Sequence, residues 1–334
     1  MAVAVSPLMA RLTASGPFGF GASSLGNLYV EVSDEAAQQA VDAAWAAGVR
    51  YFDTAPFYGF GLSEQRLGGA LRHRQRDAYL LSTKAGRLLV PTDEVGERHG
   101  FRSALPFTAV YDYSYDGVMR SVEESLNRLD LTHIDILYLH DLGRATHGAG
   151  HTETFAQAVN GGFRAMTELR EQGVVGAIGL GVNEIAICAE TMAYAAFDAF
   201  LIAGRYSLLD QTGGPFFQLC LEKGIAIVAA GIFASGVLAV GADDPLARYD
   251  YAPLSPKIQA RVAEIQAICS AFGVPLAAAA YQFARAHPAV ALPLLGLRTA
   301  DQVHEAATFA TMPIPSQLWD RLGLQARSAQ PQPI

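Results

Sequence analysis

Three strand-like runs stop at a polar side chain, and a tyrosine follows the first of them by five residues. Tyr51-Phe52-Asp53 ends in an acid with Tyr58 in the loop beyond. Tyr79 to Lys84 ends in an amine, and Ile134 to His140 in an imidazole. Strand ends carrying Asp53, Lys84 and His140, with Tyr58 on a following loop, point to one site at the mouth of a barrel. A phenol beside an ammonium and an imidazole can move a proton to or from a carbinol oxygen. Taken singly, each residue has a plainer use. Asp53 reads as a loop-bracing acid, Tyr58 as an aromatic plug, Lys84 as a solvated strand end and His140 as a histidine bonded to Asp141. Their convergence on one face favours chemistry.

The elements needed to position them alternate along the chain. Strands are expected at 18–23, 50–54, 79–83, 134–139, 174–180, 198–202, 225–230 and 290–294. Helices are expected at 34–47, 62–73, 115–129, 155–172, 184–195, 214–223, 256–271, 275–286 and 300–309. Ser33 serves as an N-cap and Gly48 as a stop for the first helix. Continuously apolar runs such as Ala226-Ile227-Val228-Ala229-Ala230 suit strands buried on both faces of a parallel sheet. The pattern predicts an α/β fold, a single (β/α)8 TIM barrel domain over 1–334. Its core covers 18–310, an extra helix lies near the C-terminus, and the tail is expected to be poorly ordered over 320–334. The long irregular stretch 85–114 after the third strand reads as a substrate lid.

Composition narrows the function. A net charge of −8 argues against nucleic acid as a partner. Cys188, Cys220 and Cys269 lack metal or disulfide spacing and read as buried thiols of a cytoplasmic protein. The N-terminus lacks a secretion signal, and the window Ile225–Gly241 is too short to span a membrane. His147 and His151 are four apart, but Gly148 and Gly150 between them argue for a mobile loop, and no metal site is expected. Gly19-Phe20-Gly21 with Gly26 imitates a dinucleotide fingerprint without the helix it requires.

From Gly19 to Ala307 the chain resembles the aldo-keto reductase superfamily. The likeness rests on Phe52-Asp53-Thr54-Ala55-x-x-Tyr58-Gly59, Ser63-Glu64, Leu67-Gly68, Ser82-Thr83-Lys84 and Leu137-Tyr138-Leu139-His140. The resemblance implies a barrel that binds NAD or NADP at its C-terminal mouth. Carried over by position, Tyr58 is the general acid/base and Lys84 lowers its pKa. Asp53 fixes Lys84, and His140 orients the substrate oxygen.

The resemblance also assigns cofactor contacts. Gly21 and Asp53 lie at strand ends, Asn183 holds the carboxamide, and Tyr206 stacks on the nicotinamide. Gly231, Phe233, Ser235, Gly236 and Leu238 form the pyrophosphate loop, and Arg298, Gln302 and Glu305 lie on the adenosine side. The wider blocks Ser63 to Gly68 and Ser82 to Leu89, with His140-Asp141 and Val182-Asn183-Glu184, resemble a sugar-oxidising branch. That branch implies oxidation of the anomeric carbon of a free aldose, of L-fucose, D-threo-aldose or L-galactose type, to the lactone. Tyr29, Phe57, Tyr58, His140 and Asp141 would contact this small molecule. The alternatives are a pyridoxal 4-dehydrogenase or general aldehyde/ketone reductase and, from another class, a non-catalytic nucleotide-binding regulatory subunit.

Arg298 stands without the second arginine that usually grips a 2′-phosphate, so NAD is expected to serve at least as well as NADP. Steady-state kcat/KM with each cofactor checks this; a preference for NADP of about a hundredfold would overturn it.

Overall fold

In the computed structural model, which describes residues 6–245 and 247–324, eight parallel strands close into a barrel. They are β1 Gly19–Gly21, β2 Tyr51–Asp53, β3 Leu80–Ala85, β4 Ile134–His140, β5 Val175–Val182, β6 Ala199–Ala203, β7 Ala226–Ala230 and β8 Val290–Gly296. Each strand pairs with its neighbours in chain order, and β1 pairs with β8 to complete the ring. The expected fold class is the one observed. The helices 115–129 and 256–271 have the limits read from the sequence. Among the described residues, no single helix is long and apolar enough to cross a membrane.

Register explains how the mouth is built. Tyr51 pairs with Leu80 and Asp53 with Ser82, while Ser82 pairs with Ile136 and Lys84 with Tyr138. Side chains alternate along a strand, so Tyr51, Asp53, Ser82, Lys84, Tyr138 and His140 share the barrel interior. Below them Leu80, Ile136, Ala177, Leu201, Val228 and Leu292 fill the bore. A helix at Pro7–Thr13, not foreseen from the sequence, closes the floor by burying Met9 and Leu12 against that layer. Ser6 starts it, accepting a hydrogen bond from the Met9 N–H at 3.3 Å.

The signature residues around Tyr58 brace the upper loops. Ser63 Oγ donates to the Ala22 carbonyl at 2.7 Å and lies 2.8 Å from Thr54 Oγ1. Fully buried Glu64 accepts from Thr83 Oγ1 and from Arg128 Nε, each at 2.6 Å. The Tyr58 loop itself crosses the loop after β1 at two glycines. A Cβ on Gly26 would lie 2.6 Å from the Tyr58 carbonyl carbon, and one on Gly59 2.5 Å from the Gly26 oxygen. Gly26, part of the apparent nucleotide fingerprint, is thus needed for backbone-on-backbone contact.

Four expectations change. The stretch 85–114 contains an antiparallel hairpin, Arg87–Pro91 against Phe107–Tyr111. Its end is pinned by Arg98, which donates to the carbonyls of Leu105 at 2.8 Å and Phe107 at 2.9 Å. Phe101 there is 2% exposed and packs on Phe57, Tyr58 and Phe60, so the segment is a fixed wall rather than a lid. The segment around His147 and His151 is helical, over Arg144–His147 and His151–Gln157, rather than a mobile loop. His147 lies 3.0 Å from both Tyr113 Oη and the Asp141 carbonyl, and His151 is buried against Phe155. A π turn at Ala158–Gly162 then breaks the helix expected at 155–172. At the C-terminal end, Ser316–Arg321 is a helix whose Leu318 and following Leu322 are buried; the rest of the expected tail, 325–334, lies outside the described residues.

A methyl group at position 26 has backbone on its far side and cannot be accommodated by a side-chain rotation. Gly26→Ala is expected to cost about 1–3 kcal/mol of stability, read from urea unfolding midpoints. An unchanged midpoint would contradict the proposed crossing.

Candidate active site

A polar column rises through the barrel interior. Tyr138 Oη lies 3.4 Å from Tyr51 Oη, which lies 2.8 Å from Ser82 Oγ. Ser82 donates to Asp53 Oδ1 at 2.6 Å, and Lys84 Nζ donates to Asp53 Oδ2 at 2.7 Å and to the Thr54 carbonyl at 2.8 Å. Asp53 and Lys84 are each 2% exposed. Such an ion pair is stable only when well bonded, because both charges have left water. Gly181 on β5 leaves room for the lysine: a Cβ there would come 3.3 Å from Lys84 Cε.

Lys84 is directed at the phenol. Its Nζ lies 4.8 Å from the centroid of the Tyr58 ring and bonds toward the hydroxyl. Burial pulls the ammonium down, but Asp53 and Tyr58 more than offset this and hold it charged. Burial likewise pushes the Asp53 carboxyl up against the pull of Lys84 and Ser82. Tyr58 shows the same competition. Lys84 lowers its phenol, as the resemblance implies, yet burial, aided by Asp53, raises it overall. The phenol is therefore protonated at neutral pH and ready to donate.

His140 stands edge-on to Tyr58, ring centroids 6.0 Å apart at 90°. Burial, with Arg87 and Lys84 nearby, drives its pKa well below the ordinary value. The imidazole is neutral, so it can donate one N–H to a substrate oxygen without adding charge. Its Nε2 is 3.5 Å from Asp141 Oδ2, and Asp141 is ion-paired with Arg87. The Arg87 guanidinium lies 3.9 Å over the ring of Phe57. Tyr113 holds the strand end by donating to the carbonyls of His140 at 2.7 Å and Asp141 at 3.1 Å.

The structure therefore brings Asp53, Tyr58, Lys84, His140, Phe57 and Asp141 together. Asn183 closes the same mouth from β5, its carbonyl accepting from Arg205 Nε at 2.7 Å. Gly21 ends β1, with its backbone paired to Asp53 and Gly296. Beyond β7, Gly231, Ala234, Ser235 and Gly236 all have left-handed φ, at 61°, 50°, 59° and 100°. A run of this kind, with small side chains, leaves room for an anion against the backbone. Phe233 is half-buried, and Leu238 is buried in the core, leaving only its backbone for such contact. Arg298 and Gln302 flank the start of the helix Ala300–Thr311, where Gln302 Oε1 accepts from the Arg298 N–H at 3.0 Å; Glu305 is exposed. These strand-end donors and the open glycine-rich backbone suit a dinucleotide.

Other side chains near the mouth are packed against protein. Tyr206 stacks on Phe283, centroids 5.1 Å apart at 14°, with Phe217 and His287 beside it. These aromatic neighbours hold the Tyr206 ring at the mouth. Asp112 accepts from the N–H and Oγ of Ser114, the N-cap of the helix Tyr115–Leu129. Phe60 packs into the wall under Phe101. Sequence reasoning missed Phe101, Tyr113 and Tyr251 as parts of the mouth. Each lies in a stretch without periodicity, so no signal short of tertiary contacts identifies it.

The Aldo/keto reductase family model matches residues 17–323. The chain is 42% identical to pyridoxal 4-dehydrogenase of Microbacterium luteolum, over 91% of this chain and 92% of that protein. It is 38% identical to D-threo-aldose 1-dehydrogenase of a Pseudomonas species, with the same coverage of each. Among solved structures, the fold is similar to a glycerol dehydrogenase of Gluconobacter oxydans, with a TM-score of 0.72 and 20% identity over 95% of this chain and 93% of that one.

The ion pair can be tested without an activity assay. Asp53→Asn strands a buried ammonium and is expected to cost about 3–5 kcal/mol, with the Asp53→Asn/Lys84→Met pair costing less than the sum of its parts. Urea unfolding of the three variants measures both; strict additivity would show that the two charges do not depend on one another.

Proposed function

Because this chain belongs to the aldo/keto reductase family and is an oxidoreductase, we propose that it oxidises the anomeric carbon of a free aldose to the lactone with NAD or NADP. The observation that carries this reading is the Asp53–Lys84 pair aimed at Tyr58 beside a neutral His140. When bound, the nicotinamide supplies a hydride acceptor. Asn183 would hold its amide, residues 231–238 its phosphates, and Arg298 and Gln302 its adenosine end.

The chain's own work is proton transfer. As phenolate, its charge offset by the Lys84 ammonium, Tyr58 takes the proton of the C1 hydroxyl and becomes the neutral phenol as hydride leaves C1. His140 donates to the same oxygen and fixes its direction. In reverse, protonated Tyr58 delivers the proton to a carbonyl oxygen, which suits the raised state of its phenol. Phe57 and Tyr29 would lie against the apolar face of the sugar, and Asp141 within reach of a hydroxyl.

Pyridoxal is the second reading, favoured by the 42% identity to a protein of that name. Like an aldose, it closes to a cyclic hemiacetal, so the same residues would perform the same proton transfer. A pure regulatory subunit would have no use for a buried pair aimed at a phenol.

Assay of L-fucose, D-arabinose, L-galactose and pyridoxal with NAD discriminates the substrates; reduction of the cofactor by pyridoxal alone would replace the sugar reading. Tyr58→Phe is expected to lower kcat by about 10²–10⁴-fold with cofactor affinity little changed. Because the base must be deprotonated and its pKa is raised, kcat/KM for oxidation should climb throughout the alkaline range. A plateau below neutral pH, or near-normal kcat in Tyr58→Phe, would remove Tyr58 from this role.

A further inference from the structure

A second hairpin, absent from the sequence expectation, reaches the mouth from beyond β7. Arg248 pairs with Pro253 and Tyr249 with Ala252 in antiparallel register, leaving Asp250 and Tyr251 as a two-residue turn. Both turn residues are left-handed, with φ of 50° and 64°. Such a turn favours asparagine or aspartate followed by glycine. Here a tyrosine stands in the glycine position with 57% of its surface exposed. A bulky residue in this conformation persists only where its surroundings hold it, and such positions gather at functional sites.

The surroundings do hold it. Asp250 pairs with Arg205 Nη2 at 3.0 Å, and the same guanidinium donates to the Asn183 carbonyl. Ser235 Oγ accepts the Tyr251 N–H at 3.0 Å. The turn is thus fastened to the segments that follow β5, β6 and β7. The Tyr251 hydroxyl meets the Asn183 side chain and lies within electrostatic range of Tyr58, Asp141 and Tyr29.

Tyr29 matches it from the loop after β1. It too is left-handed, at φ 63°, and 42% exposed. Its N–H donates to the Gly100 carbonyl at 2.7 Å, and its ring lies against Gly100.

We propose that Tyr251 and Tyr29 form the two sides of an aromatic slot above Tyr58, and that this slot selects ring-closed substrates over open-chain aldehydes. A hemiacetal ring presents an apolar C–H face, and pyridoxal presents an aromatic one; either is gripped by flat rings. A short open-chain aldehyde reaches Tyr58 and His140 without filling the slot. The inference rests on the dehydrogenase reading and adds Tyr251 as a residue determining specificity.

The test compares kcat/KM for oxidation of the ring substrate with kcat/KM for reduction of methylglyoxal. In Tyr251→Ala the ring-to-open-chain ratio should fall about tenfold, chiefly through KM for the ring. Asp250→Ala, which frees the turn from Arg205, should move the ratio in the same direction. Tyr251→Phe should keep most of the selectivity. An unchanged ratio, a Phe variant as impaired as Ala, or a loss confined to NAD affinity would each overturn the slot. Should the wild type oxidise no ring substrate, the dehydrogenase reading falls. The slot is then judged by equilibrium binding of pyridoxal, expected to be about tenfold weaker in Tyr251→Ala; equal affinity would overturn it.

Discussion

The mouth of this barrel is organised by one buried ion pair. Asp53 and Lys84 are held 2.7 Å apart with almost no solvent contact, and every neighbouring polar group is arranged to make that arrangement stable. Ser82 satisfies the second carboxylate oxygen and Thr54 a second ammonium proton. Register does the placing: strand pairing sets Asp53 beside Ser82, and the twofold alternation of side chains then carries Lys84 one layer higher. The pair determines the charge felt by Tyr58, and through Lys84 it also helps keep His140 neutral.

Around that pair the protein separates rigid from adjustable parts. The wall made by 87–111 is fixed by Arg98 and by Phe101, which is packed among Phe57, Tyr58 and Phe60. Opposite it, Asp250 and Tyr251 hang from ion pairs and single hydrogen bonds that water can contest. The proposed proton transfer falls on the rigid side, as transfer between fixed groups requires. The proposed slot draws on both sides, Tyr29 resting on Gly100 of the wall segment and Tyr251 on the more yielding turn.

The barrel and the polar strand ends that meet at its mouth were legible in the sequence because both follow local rules. Apolar runs of five or six residues mark strands, Ser33 and Gly48 mark a helix's limits, and polar residues at strand ends stand out against Leu and Ile. What was illegible depends on contacts between distant segments. The hairpin strand Phe107–Tyr111 looks irregular until it meets Arg87–Pro91. Tyr206 carries no sequence mark of its stack on Phe283. Tyr251 was hidden because a turn with tyrosine in place of glycine breaks the rule by which such turns are recognised. The net direction of the Tyr58 shift was also beyond reach, since it depends on burial outweighing a lysine that is plain to see.

The helix Pro7–Thr13 has a consequence for the column above it. Met9 and Leu12 cork the bore beneath Tyr51 and Tyr138, so those hydroxyls and the carboxylate they lead to are sealed from bulk water on the underside. Exchange of the column's protons must then go by way of Lys84 and Tyr58. The barrel behaves as a well with one opening, and whatever occupies that opening governs the isotope exchange of everything beneath.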